Sequence, residues 1–559
     1  MLSRSWIWCL AIAAGVALAA GCSSVSPKPK AATGDAAAPA SDWPAEKVTS
    51  AHAHFSAAVV HEVARNQEAA LREYYLAALN DPENESLVLD VSRRLLQAKQ
   101  SDKALEVLKL AASRKSATGA IYARLSLVYA EQGKAELAAQ AGRAAIARAP
   151  GSLIGYQNLY VNYVQAKKPK EALGVLDQAA RQPHPDPEFF ISLSELYANL
   201  GLQFPAWRTN ANARALAVLN SAAKLKPAGV PVCLKLADGF SLMGDQARAA
   251  EIYKSVIEKL SDLPQVRDRV RAKLADIYLR SEDHTNAVKQ LELIIKENPS
   301  DAQATFFLGA IAYEERKYPQ AVDYLRKAIL LNPEYEPAYY DLAGAQIASD
   351  KPGDALATLD AARKRFAAGF VMEFWTAMAF TRQKAYAQAV QHLTAAEVIA
   401  QATETNRLTE AFYFQLGAAH ERTGNIAEAE KYFNKCLQLA PNSPEALNYL
   451  GFMWAEHGTN LVQARAMIEK ALHAEPKNGA YLDSMGWVMF KMNQPKAALQ
   501  WMLKAVAALP EPDATVLDHL GDVYAALDQP AKAREAWAKS VALEPSEEVK
   551  KKLGPSPGS

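Results

Sequence analysis

The sequence predicts an all-α protein, a right-handed superhelical solenoid of about fourteen helix–turn–helix units. Three observations predict it. First, an alanine recurs at Ala70, Ala104, Ala138, Ala172, Ala215, Ala249, Ala287, Ala321, Ala355, Ala389, Ala429, Ala464, Ala498 and Ala533. Eight of the thirteen steps are 34 residues and two are 35. Second, a small or modest residue follows each alanine seven places later, as at Ala77, Ala145, Ala222, Ala328, Cys436 and Ser540. Third, a proline often follows twelve places after the alanine, as at Pro82, Pro150, Pro333 and Pro545. A spacing of seven keeps both small residues on one helix face. Proline cannot continue a helix, so it marks where the second helix of each unit stops.

The first helix of each unit carries its own signal. Twelve residues before the alanine stands another small residue, among them Ala58, Ser92, Ser126, Ala237, Ala343, Ala377, Gly309, Gly417, Gly486 and Gly521. Tyr160 is the bulky exception. Four residues after the alanine stands a large residue, such as Leu108, Leu325, Phe433 or Trp537. Small positions let two helices approach and large ones fill the gaps. The clearest copy runs from Tyr122 through Leu125, Ser126 and Tyr129 to Gly133, Ala138, Ala145 and Pro150. This order of small, aromatic, alanine, large apolar, alanine and proline resembles the tetratricopeptide repeat. The resemblance covers residues 51–546 and implies a surface that holds other molecules.

In chain order, residues 1–21 have the layout of a secretory signal: a positive start at Arg4, an apolar run from Ile7 to Ala20, then small residues. That run is too short to span a membrane comfortably. The stretch Leu18-Ala19-Ala20-Gly21-Cys22 resembles the bacterial lipoprotein processing box. The resemblance implies that Cys22 becomes the lipid-bearing N-terminus. With Ser23 and Ser24 after it, it implies an outer-membrane location, facing the periplasm or, as the alternative, the exterior. A plain secreted protein cut near Ala20 is the alternative. Residues 22–50, rich in Ala, Pro, Ser and Lys, are expected to form a flexible tether. Three long alanine steps, of 43, 38 and 40 residues, put extra residues near 201–214, 261–264 and 401–407. Loops are expected there, dividing the array into segments 51–200, 215–400 and 410–546. Residues 547–559 are expected to cap the last exposed face and end in a tail.

Lys and Arg total 62 against 61 Asp and Glu, a net charge of +1. No global basic field for nucleic acid follows, and no acidic tail. Cys233 and Cys436 fall at packing positions far apart along the array, as small buried hydrophobes. No cysteine spacing suggests zinc, and His52, His54 and His61 have no evident acidic partner. No phosphate loop, zinc-protease helix or nucleophile elbow occurs. No cofactor and no metal are expected, and the chain is expected not to be an enzyme.

The resemblance implies that the first helices line the binding face, and that the position three before the small residue points into it. Four successive units carry an aromatic there: Phe306, Tyr340, Phe374 and Phe414. One residue after the small position stand Phe452 and Trp487, and Tyr313 is a further candidate. These rings are expected to anchor an apolar peptide segment or partner helix. The alternative packs them sideways between helices. Asp483, Asp518 and Asp522 make the end of the face acidic. The expected function is a membrane-tethered scaffold or adaptor in a bacterial envelope process: outer-membrane assembly, pilus assembly and secretion, or exopolysaccharide export. An accessory subunit recruiting a cell-wall or polysaccharide enzyme is the alternative.

Overall fold

The computed structural model describes residues 43–184 and 186–553. They form 29 α-helices and two short 3₁₀ turns, and no strand occurs among the described residues. The lipidation candidate Cys22 and most of the expected tether lie outside them. The chain divides into two compact units, the first ending at Glu297 and the second beginning at Asn298.

Each unit holds seven helix pairs. The first runs from Ala45–Val63 with Gln67–Asn80 to Pro264–Arg280 with His284–Glu297. The second runs from Ala302–Glu314 with Tyr318–Leu331 to Ala514–Ala526 with Pro530–Leu543, followed by the short helix Glu547–Leu553. The alanine period is a burial period. None of the fourteen alanines is more than 4% exposed. Their partners seven residues on, Ala77 to Ser540, are no more than 2% exposed. At such contacts one extra methylene forces neighbours apart. At Gly309 an added Cβ would meet Leu325 Cγ at 2.7 Å, and Gly521 faces the Trp537 indole in the same way. The small residue of the first helix is thus the socket for the large residue of the second.

The turn within each pair repeats as well. In most pairs the residue five before the alanine has a positive φ, yet it is often long or charged: Lys99 at 58°, Arg316 at 61°, Asp350 at 57°. At Lys99 the turn is closed by Gln100 N to Leu95 O at 2.8 Å and Lys99 N to Leu96 O at 3.0 Å. This left-handed cap satisfies the last carbonyls of the first helix, which offsets the backbone strain.

Several boundaries differ from the sequence expectation. The first helix begins at Ala45, so the tether stops short of residue 50. The three insertions mostly lengthen helices. Pro187–Gln203 and Arg208–Lys224 have 17 residues each, Pro264–Arg280 has 17 and Tyr386–Thr403 has 18. Added turns with apolar positions continue the hydrogen-bond ladder rather than leave it. The division at residue 297 falls inside the expected 215–400 segment. Cys233 and Cys436 are buried free thiols, and burial pushes Cys436 up to about 11. His54, for which the sequence offered no acidic partner, pairs with Glu73 at 2.7 Å.

Candidate functional site

The first helices of successive pairs pack on one another, as Ala302–Glu314 does on Glu336–Ala348 and Glu336–Ala348 on Phe370–Arg382. The aromatics three before the small residue sit in that packing. Phe306, Tyr340 and Phe374 are 5%, 8% and 3% exposed. Phe306 stands edge-on to Tyr335 with ring centres 4.7 Å apart, and Phe374 stacks on Phe370 at 5.9 Å. Tyr340 donates to Glu336 Oε1 at 2.6 Å. Trp487 is buried too, while Phe414 and Phe452 are partly exposed. The expected anchor column is therefore largely a packing column. One step along a helix rotates a side chain by about 100°. That step separates the seam from the face.

The next register, two before the small residue, stays partly open. It carries Phe307, Asp341 and Trp375, each 34 residues from the last. Phe307 and Trp375 were not singled out from the sequence, since the ring before each looked equivalent. Asp341 makes no hydrogen bond or ion pair with any described residue. Burial, then the charge of Glu314, pushes its carboxyl up to about 7. Burial and the Asp341 charge also raise the neighbouring tyrosines Tyr335 and Tyr313, the latter to about 12. One turn on, Gly344 has no side chain, and a Cβ there would meet Tyr313 Oη at 3.0 Å and Trp375 Cη2 at 3.1 Å. A side chain at 344 would press on both groups, and glycine leaves them room above the Asp341 helix. The result is a partly open acid walled by aromatic side chains.

The acidic end of the unit is built differently. Asp483 lies 3.0 Å from His519 Nδ1, both nearly fully buried. The His519 ring stacks on Trp487, centres 3.9 Å apart and 15° between planes, with Phe452 at 6.0 Å. Trp487 Nε1 donates to Glu456 Oε2 at 2.7 Å. Burial pulls the His519 pKa down, but the Asp483 bond and charge, with Glu456 and Asp518, raise it overall. Lys552, on the last helix, donates to Asp518 at 2.8 Å and Asp522 at 2.7 Å. The three aspartates expected to make this end acidic are thus each paired with a base of the chain.

Two further buried acids follow that pattern. Glu373 takes His392 and Arg363, each at 2.6 Å. Burial alone would raise this carboxyl, and those two bonds bring it below its ordinary value. Glu397 takes Lys435 at 2.8 Å and the Tyr432 hydroxyl at 2.9 Å. No group of three His, Cys, Asp or Glu is placed to hold a metal among the described residues. No helix among them is long and apolar enough to cross a membrane.

Residues 272–336, 312–368 and 410–443 match three family models, each described as tetratricopeptide repeat. Residues 272–368 and 410–443 carry tetratricopeptide repeats. Phe307 and Asp341 of the open register lie within two of the matched segments, and Trp375 follows seven residues after the second. Repeats of this kind are generally non-catalytic scaffolds that bind protein or peptide partners. No curated protein matches the chain significantly. Among solved structures, the chain is similar to a crystal structure of the APC/C hetero-tetramer Cut9–Hcn1. That match has 15% identity and TM-score 0.38, covering 83% of this chain and 94% of the other. It is also similar to a tetratricopeptide repeat protein from Parabacteroides merdae, at 16% identity and TM-score 0.38, covering 45% of this chain and 97% of that one.

Proposed function

We propose that this chain is a non-catalytic, lipid-anchored scaffold of a bacterial outer membrane, facing the periplasm, which docks segments of envelope proteins on its first-helix face. The observation that carries the docking role is the Phe307–Asp341–Trp375 register, which the repeat packing leaves partly exposed. Partly open aromatic rings at regular spacing suit an extended or helical segment. The anchor rests on the sequence around Cys22. Lipids there would keep the scaffold at the membrane and raise its effective concentration near membrane partners. The processes this serves are outer-membrane assembly, pilus assembly and secretion, or polysaccharide export.

The test joins both halves. Cells grown with a clickable fatty acid are fractionated, and a photo-crosslinking amino acid replaces Phe307. The expected result is label on the wild-type chain, none on Cys22→Ser, and a discrete adduct from position 307 that diminishes when the anchor is lost. An unlabelled, soluble wild-type chain contradicts the anchor. A position 307 that yields no adduct in membranes contradicts the docking face.

A further inference from the structure

We propose that Asp341 is the recognition carboxylate of a site for a cationic side chain, arginine or lysine, presented by an apolar-flanked segment of a partner protein and stacked against Trp375. The inference rests on the docking role above and adds the chemistry of what docks.

Three observations carry it. The first is pairing. Glu373, Glu397 and Asp483 are buried acids of the same unit, and each has a cation or potential cation from the chain. Asp341 has none. A desolvated carboxylate without a partner is costly, so the chain's other buried acids show how it ordinarily answers that cost. The second is the wall. Gly344 leaves Tyr313 Oη and Trp375 Cη2 close together above the helix that carries Asp341. Phe307 and Trp375 flank Asp341 at the same register on the preceding and following first helices. An occupant reaching Asp341 therefore has aromatic surface on either side, which suits a side chain on an apolar backbone segment better than a free ion. The third lies at the other end of the unit. There His519, at the same register as Asp341, places its ring between the Asp483 carboxylate and the Trp487 indole. The array thus builds one acid–aromatic–cation site with all three members from the chain, its acid one position earlier in the repeat than Asp341. At Asp341 it supplies the acid and the aromatics. A planar guanidinium can stack on an indole while bonding a carboxylate, which favours arginine over lysine. The raised Asp341 pKa agrees: a bound cation would favour the charged carboxylate, so binding should strengthen as pH rises through about 7. The groups that face this carboxyl are Glu314, Tyr313 and Tyr335.

The test selects a phage-displayed random-peptide library on the purified full-length chain, then measures a synthetic consensus peptide by anisotropy. The expected consensus holds one arginine or lysine between apolar residues. Replacing that residue by glutamine in the peptide should weaken binding tenfold or more. Asp341→Asn should erase that difference without lowering the melting temperature, and Asp341→Glu should keep it. A cation-free consensus, or a cation preference that survives Asp341→Asn, overturns the inference and leaves the docking role standing. Failure to select any segment overturns both.

Discussion

The two ends of the second unit treat buried acid in opposite ways. At the C-terminal end Asp483, Asp518 and Asp522 are all paired, with His519 and Lys552. Near the start Asp341 lies among aromatics and has no base. Both places use first helices and similar residue types, but the acids stand at different registers: Asp341 two before its small residue, Asp483 and Asp518 three before theirs. The difference teaches that a buried acid with its cation built in belongs to the packing, and one without it belongs to the surface.

The largest effect should come from breaking the paired end. His519→Ala strands Asp483 and removes a ring from Trp487, at a cost of about 3–5 kcal/mol. An array need not unfold in one step, so the readout is hydrogen exchange across Gly479–Lys491. The wild-type protection should depend on pH. His519 has a raised folded pKa, so its contribution is full below the unfolded value near 6.5 and fades as pH rises through the folded one. His519→Ala should flatten that slope. A wild-type slope unchanged in the variant would mean that His519 is not the charged member.

Next, removing both partners should cost less than removing one. Asp483→Leu with His519→Leu replaces an ion pair by apolar volume, and the double variant should recover about 1–3 kcal/mol relative to His519→Leu alone. Simple additivity of the two single variants would show that the pair is not coupled.

The open end should respond with the opposite sign. A raised carboxyl pKa means that the folded state loses stability as pH rises, from the unfolded value near 3.9 through about 7. Asp341→Asn should therefore stabilise the second unit by about 1–2 kcal/mol at pH 8 and leave it unchanged at pH 4. The gain is smaller than the full shift implies, because the groove remains open to water. The smallest effect is at the cap. Lys552→Ala frees Asp518 and Asp522 and should cost about 1 kcal/mol, seen as faster exchange in Glu547–Leu553 alone.

These residues also show what the sequence makes legible. The alanine and small-residue phases were readable because every such position is buried against a neighbouring helix, so one size rule holds along the array. The turns were not, because Lys99 and Asp350 take a left-handed conformation that glycine would have advertised. The long steps looked like loops, since a spacing shows how many residues are added and not whether they keep the helical ladder. Phe306 and Phe374 take the sideways packing that the sequence leaves open as the alternative, because adjacent registers carry rings at the same period and only the helix rotation separates Phe306 from Phe307. The pairing of Asp483 with His519 joins residues 36 apart in sequence, on adjacent helix pairs, and no local motif announces it.

The central claim is that Asp341 is held for an external cation, and its own titration tests that most directly. The carboxyl signal of the wild-type chain, assigned by difference from Asp341→Asn in carbon-labelled aspartate spectra, is followed with pH. The predicted result is a midpoint near 7 in the free chain, falling by a unit or more when the arginine-bearing peptide is added. A midpoint near the ordinary aspartate value of about 4, unmoved by the peptide, would contradict it.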